Sequence, residues 1–150
     1  MLFIIVKDAK KDVSSRDGMR RTVETSPFYD GWLATLDQDL AEMKAAISEQ
    51  DIDKVGTIAE RNALKMHATT LGANSPFTYW SADSMVAMDA VRTLRNEGHS
   101  VYFTMDAGPN VKVICKQSEM KTIKQALCAY FGEEQIISAA PGPGIQVMEN

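Results

Sequence analysis

Three observations predict an α+β fold with an antiparallel sheet. First, two β-rich runs, Val101–Thr104 and Val111–Ile114, flank a strongly punctuated turn, Asp106-Ala-Gly-Pro-Asn110. Gly108 can take positive φ, Pro109 fixes its own, and Asn110 tolerates the left-handed region, so the two runs read as a hairpin. Second, the apolar run Leu2-Phe-Ile-Ile-Val6 reads as a buried strand at the start of the chain. Third, helical patterns fill the interval between that strand and the hairpin. After the hairpin come one helix, a strand at Gln135–Ser138 and a short strand at Ile145–Val147. Without the inserted helices this is the split β-α-β order of ferredoxin-like folds, with helices expected on one face of the sheet.

Each helix has a local reason. Ser14 or Ser15 can cap one beginning near Arg16. Ser26-Pro27 is a second start, with serine as cap and proline at the first position. Leu33, Leu36, Leu40, Met43 and Ile47 then recur at steps of three and four, which predicts one amphipathic helix over 27–49 with those residues buried. Asp51 caps the next, over 52–71, with Ile52, Val55, Ala59 and Met66 inward and Gly72 as its stop. Asn62 and His67 interrupt that stripe and read as hydrogen-bonded buried polar residues. Gly72–Phe77 is a loop. Ser81 caps a helix to Glu97 that carries Met85, Met88, Val91 and Leu94 and stops at Gly98. Ser118 caps the last helix, with Met120, Ile123, Leu127 and Tyr130 on one face and Gly132 at its end. Pro141-Gly-Pro-Gly144 is a turn, since two prolines remove donors that a phosphate loop needs.

Composition limits the function classes. With 150 residues, 45% of them hydrophobic and 24% charged, the chain suits one domain with a real core. A net charge of −4 argues against a nucleic-acid partner. No apolar run approaches a membrane span, so no membrane partner is expected. The cysteines, Cys115 and Cys128, form no disulfide framework and read as free thiols of a cytoplasmic protein. The histidines, His67 and His99, belong to no cluster with metal-ligand spacing, so no metal site is expected.

Two segments carry possible chemistry. Asp106 stands at a strand end beside the turn. It either closes an Asx-turn or serves as a catalytic or ligand-binding acid. Residues 7–21 set Lys7, Lys10, Lys11, Arg16, Arg20 and Arg21 against Asp8, Asp12 and Asp17. A helix start offers unpaired N–H groups and the positive end of the dipole. With serine hydroxyls and Arg16 it can hold an anion; otherwise it is a capped helix with solvated arginines.

Asp106-Ala-Gly-Pro-Asn110-Val-Lys112, Ser14-Ser-Arg-Asp-Gly-Met19 and Asn74-Ser-Pro-Phe77 together resemble diphosphomevalonate decarboxylase, the ATP-dependent decarboxylase of the GHMP kinase superfamily. The resemblance spans essentially the whole chain and corresponds to the C-terminal half of that enzyme. It implies a GHMP kinase C-terminal-type domain over 1–150. It implies Asp106 as the catalytic aspartate, and Ser14, Ser15, Arg16 and Met19 as residues on the diphosphate side of a mevalonate 5-diphosphate pocket. It further implies ATP and Mg²⁺ as cofactors of the complete enzyme, and a homodimer. The superfamily's glycine- and serine-rich phosphate loop is nowhere in this sequence. The ATP-binding N-terminal half is therefore expected to lie outside this chain, and these residues alone are expected to be inactive. The rival expectation is a non-catalytic ferredoxin-like module that binds a small anion or a partner protein.

Overall fold

In the computed structural model, which describes residues 1–6 and 13–144, four strands form one antiparallel sheet. They are β1 (Leu2–Ile4), β2 (Val101–Thr104), β3 (Val111–Cys115) and β4 (Ile136–Ser138), in the spatial order β2-β3-β1-β4. β1 lies between β3 and β4, with Leu2 opposite Val113 and Ser138. The hairpin register sets Val101 opposite Cys115 and Thr104 opposite Lys112. This is the ferredoxin-like order that the sequence predicts. The short strand expected at Ile145–Val147 lies outside the described residues.

Among the described residues six α-helices accompany the sheet: α1 (Ser15–Thr25), α2 (Tyr29–Leu33), α3 (Leu36–Ser48), α4 (Ile52–Leu71), α5 (Ala82–Asn96) and α6 (Met120–Leu127). The first five fall between β1 and β2. Alternation along the strands sends Leu2, Ile4, Val101, Phe103, Val111 and Val113 to one face. There they meet Met88, Val91 and Leu94 of α5 and Ile123 and Leu127 of α6 in a continuous core.

The expectation that helices lie on one face holds for α5 and α6 but not for α4. Tyr102 points the other way from Val101 and Phe103, and α4 meets it there: its hydroxyl donates to Asp53 at 3.2 Å. Gly56 makes that approach possible, since a Cβ at this position would overlap the Tyr102 ring. The same helix covers the sheet edge. Phe103 N–H, on the outer side of β2, donates to Glu60 at 3.2 Å, and Arg95 clamps Glu60 at 2.9 and 3.0 Å while lying over the Tyr102 ring. An edge strand left bare would invite pairing with another chain.

The single helix predicted over 27–49 is two. Ser26 closes α1, its backbone N–H bonding the Thr22 carbonyl. α2 stops at Leu33, and α3 begins afresh at Leu36. Three of the five predicted stripe residues are turned outward: Leu33, Leu40 and Ile47 are 49, 53 and 60% exposed, while Leu36 and Met43 are half-buried. Asp39 accounts for the rotation. It is buried, and it accepts from Arg61 at 2.7 Å, Lys65 at 2.9 Å and Asn62 at 3.1 Å, all on α4. Burial alone would raise its carboxyl, but the hydrogen bonds from Lys65, Asn62 and Arg61 hold it below the usual range. A carboxylate with three partners on one neighbour fixes which side of α3 faces inward.

Smaller departures have local causes. α4 buries Gly56, Ile58, Ala63, His67, Thr69 and Thr70, while Ile52, Val55, Ala59 and Met66 are half-buried, because close packing favours the small residues. Gly72 is the stop expected after α4; at φ of −90° it is not left-handed, and its missing side chain admits the Phe28 ring. Gly98, at φ of 101°, is the left-handed stop expected after α5. Met85 is exposed. Ser118 does not cap α6; the cap position is Glu119, whose carboxylate turns to His99 at 3.1 Å. α6 ends at Leu127, which leaves Tyr130 exposed and Phe131 in the core.

Candidate functional site

The turn between β2 and β3 is tied down from three sides. Gly108 N–H donates to the Asp106 main-chain carbonyl at 2.7 Å. The Ser84 hydroxyl, in the first turn of α5, donates to the Pro109 carbonyl at 2.6 Å. Val6 N–H, just past β1, donates to the Asn110 side-chain oxygen at 3.0 Å. Ser84 is itself fixed in a capping box with Ser81. These bonds fix the main chain of the turn on which Asp106 stands. The N–H that an Asx-turn would use is taken by the main chain, and the Asp106 side chain is 72% exposed. Its Oδ2 lies 2.9 Å from the Nζ of Lys112 on β3.

The second motif opens α1. Ser14 is the cap: its hydroxyl oxygen accepts Asp17 N–H at 3.1 Å and donates to the Asp17 carboxylate at 2.7 Å. Ser15 is the first helical residue, so the sequence's choice between two caps falls to Ser14. Ser14, Ser15 and Arg16 are exposed, and Met19 is half-buried. The neighbouring arginines are engaged. Arg20 pairs with Asp17 at 3.1 Å; Arg21 donates to the Ser75 carbonyl at 3.2 Å and lies over the Phe77 ring. Arg16 is exposed, and among the described residues it makes no ion pair.

The two motifs are joined through a buried column that the sequence reading left unassigned. The Tyr79 hydroxyl donates to the Ser14 carbonyl at 3.2 Å. Gly18, one turn into α1, leaves room for that ring, where a Cβ would overlap the hydroxyl. Tyr79 meets His67 edge-on, with ring centroids 6.2 Å apart, and His67 packs on Trp80 at 5.1 Å. The Asp106 main chain and its charge face His67. The expectation of a fully hydrogen-bonded His67 is corrected: among the described residues neither ring nitrogen meets a partner at full hydrogen-bond geometry, although the residue is only 1% exposed. Burial pushes the imidazole down to about 4; Asp106 pulls it back up and Lys112 pushes it further down. Asn62, by contrast, is satisfied by Asp39. The signal for His67 was present as a polar residue inside an apolar stripe. Nothing in α4 taken alone points to its neighbours.

Other features fall outside this column. A groove of about 640 Å³ between α3 and α4, lined in part by Glu42, Asp51, Lys54 and Arg61, contains none of the sequence-predicted residues. Among the described residues no His, Cys, Asp or Glu side chains are grouped to hold a metal ion, and no helix is long and apolar enough to cross a membrane. Both cysteines are free, Cys115 buried and Cys128 exposed.

A four-stranded sheet in ferredoxin-like order, with an acid on its braced central hairpin linked through His67 and Tyr79 to a capped helix start, defines an α+β domain of the ferredoxin-like class. The family model for the mevalonate 5-diphosphate decarboxylase C-terminal domain matches residues 1–146, and the chain belongs to that family. Among solved structures, mevalonate diphosphate decarboxylase from Enterococcus faecalis is 49% identical, with a TM-score of 0.91 over 99% of this chain and 44% of that one. The structure of MDDEF in complex with MVAPP, AMPPCP and magnesium is 52% identical, with a TM-score of 0.93 over 99% of this chain and 46% of that one. The human diphosphomevalonate decarboxylase is 32% identical over 117 residues, 75% of this chain and 29% of that protein. The chain therefore spans roughly a third to a half of the length of its relatives.

Proposed function

We propose that this chain is the C-terminal half of an ATP-dependent decarboxylase that converts mevalonate 5-diphosphate to isopentenyl diphosphate. In that reaction the tertiary hydroxyl is phosphorylated, and phosphate and carbon dioxide then leave. Asp106 receives the hydroxyl proton or orients its O–H bond. Ser14, Ser15 and Arg16 hold the unreactive diphosphate, and Met19 lines the same side. Phosphoryl transfer depends on in-line placement and charge neutralisation more than on covalent help, and an acid on a braced hairpin supplies placement.

The observation that carries this reading is the exposed Asp106 carboxylate on a turn whose own N–H it does not need. ATP and Mg²⁺ do not fit the described residues, which offer neither a glycine-rich loop nor a carboxylate cluster. MDDEF has been solved with AMPPCP and magnesium. The domain assignment, 1–150 as one C-terminal-type domain, thus leaves nucleotide chemistry to an N-terminal half. We further propose a cytoplasmic homodimer. The uncovered apolar stripe of α3 supports that state, and sedimentation of the assembled enzyme tests it.

Joining this chain to the N-terminal half of the E. faecalis enzyme tests the proposal. The hybrid is expected to consume ATP and release carbon dioxide only with mevalonate 5-diphosphate present. Arg16→Ala is expected to raise KM first, because a group on the unreactive diphosphate holds substrate and transition state alike. One charged hydrogen bond, about 1.5–3 kcal/mol, corresponds to roughly 10- to 150-fold. A hybrid whose KM is untouched by Arg16→Ala would remove that residue from the site.

A further inference from the structure

The segment Asn74-Ser-Pro-Phe77, with Tyr79 just beyond it, has no task in the proposed reaction. In the fold it is bonded to α1 at three places. Asn74 N–H donates to the Thr25 hydroxyl at 2.8 Å, at the far end of that helix. Arg21, midway along, donates to the Ser75 carbonyl at 3.2 Å and lies over the Phe77 ring. Tyr79 reaches the helix start, where its hydroxyl donates to the Ser14 carbonyl at 3.2 Å. Ser75 holds a left-handed φ of 59°, a conformation that costs a serine energy unless its surroundings impose it.

α1 needs such a tether. A helix is ordinarily held by its apolar face, but the buried residues of α1 are Gly18 and Thr22, and none of its residues joins the core under the sheet. The contact at its start is close. The Ser14 carbonyl accepts both Gly18 N–H, at 2.9 Å, and the Tyr79 hydroxyl. A Cβ on Gly18 would overlap that hydroxyl first and meet the Phe77 ring edge less closely. Tyr79 is 7% exposed and stands edge-on to Phe77 and His67, with ring centroids 5.4 and 6.2 Å away. The interior therefore sets the place of Tyr79, and Tyr79 sets that of the exposed Ser14.

We propose that Tyr79 is a positioning residue for the start of α1: its hydroxyl fixes the Ser14 main chain, and with it the direction in which Ser15 and Arg16 face the substrate diphosphate. The role rests on the reading of that helix start as the diphosphate side. It is separable from that reading, because the tether can be measured without turnover.

The test uses the full 150-residue chain carrying Tyr79→Phe, Gly18→Ala or both. Solvent exchange at the Asp17 and Gly18 amides, read by NMR, reports the hold on Ser14. Tyr79→Phe is expected to speed both by about three- to tenfold, the span for one neutral hydrogen bond, and to leave the core amides of β2 and α5 unchanged. Gly18→Ala forces ring and helix apart and is expected to do more. Together the two are expected to fall short of the product of their separate effects, because phenylalanine lacks the atom that the methyl overlaps. Dispersed amide spectra establish that each variant is folded, and Tyr79→Phe carries the test alone should Gly18→Ala not fold. Unchanged exchange at Asp17 and Gly18 in Tyr79→Phe overturns the proposal, as does an equal rise at the core amides or a fully multiplicative pair. In the hybrid enzyme Tyr79→Phe is expected to raise KM for mevalonate 5-diphosphate by about three- to tenfold with kcat within about twofold. An unchanged KM also overturns the positioning role. A parent hybrid without decarboxylation counts against the enzymatic reading alone, and amide exchange still decides the tether.

Discussion

His67 shows how a residue's meaning depends on what the fold brings to it. Its imidazole is pushed from an ordinary 6.5 to about 4 by burial among aromatic rings. Between those values the unfolded chain holds the proton and the folded chain does not. Stability from this group is therefore complete above about pH 6.5 and is lost as pH falls toward 4. Between pH 7 and pH 4.5 the loss is about 2–3 kcal/mol, from roughly 1.4 kcal/mol for each unit of displacement. Urea midpoints at the two pH values, compared with those of His67→Phe, check this. The variant is expected to lose that much less stability on acidification, and equal losses would show that His67 is protonated in the folded state. At this scale Asp106 was legible, because turn punctuation and an acid are both local. Lys112 was not. In the string Val-Lys-Val-Ile it is one polar residue of an alternating strand. Only the pairing of Thr104 with Lys112 sets its ammonium beside an acid six positions earlier in the chain.

Among the elements, existence was mostly legible, the break between α2 and α3 excepted, and orientation was not. The caps Ser14, Asp51 and Ser81 lie where side-chain chemistry requires, each accepting a backbone N–H from the first turn. The α3 stripe was misread because a hydrophobic pattern shows that a helix has two faces, not which one the molecule buries. Asp39 and its three partners on α4 settle that, and they are 22 to 26 residues away in sequence. Gly56 makes a similar point. In an isolated helix, alanine in place of glycine would help by about 1 kcal/mol. Here the added methyl would enter the Tyr102 ring and force α4 off β2. Gly56→Ala is expected to destabilise the chain by about 1–3 kcal/mol, the usual range for overpacking. It should also speed hydrogen exchange at Phe103 N–H, whose partner Glu60 lies one turn further along α4. A neutral or stabilising outcome in denaturant unfolding would mean that the helix can shift without cost.

On the scale of the whole molecule, the order of elements was enough to predict the sheet, because the connection rules leave few ways to arrange one strand, a hairpin and a final strand. The wrapping of α4 around the β2 edge was not predictable from order, since it depends on a glycine meeting an aromatic ring across the sheet. In the proposed reaction the family's chemistry passes through the Asp106 carboxylate. Steady-state turnover of the hybrid enzyme with Asp106→Asn tests it most directly, since asparagine keeps the shape and lacks the charge. Loss of a group that acts on the reacting hydroxyl falls on the rate constant, and general acid–base placement is typically worth about 10²–10⁴-fold. The account predicts a fall in kcat of that size with the affinity for mevalonate 5-diphosphate little changed; near-normal turnover by a folded Asp106→Asn hybrid would contradict it.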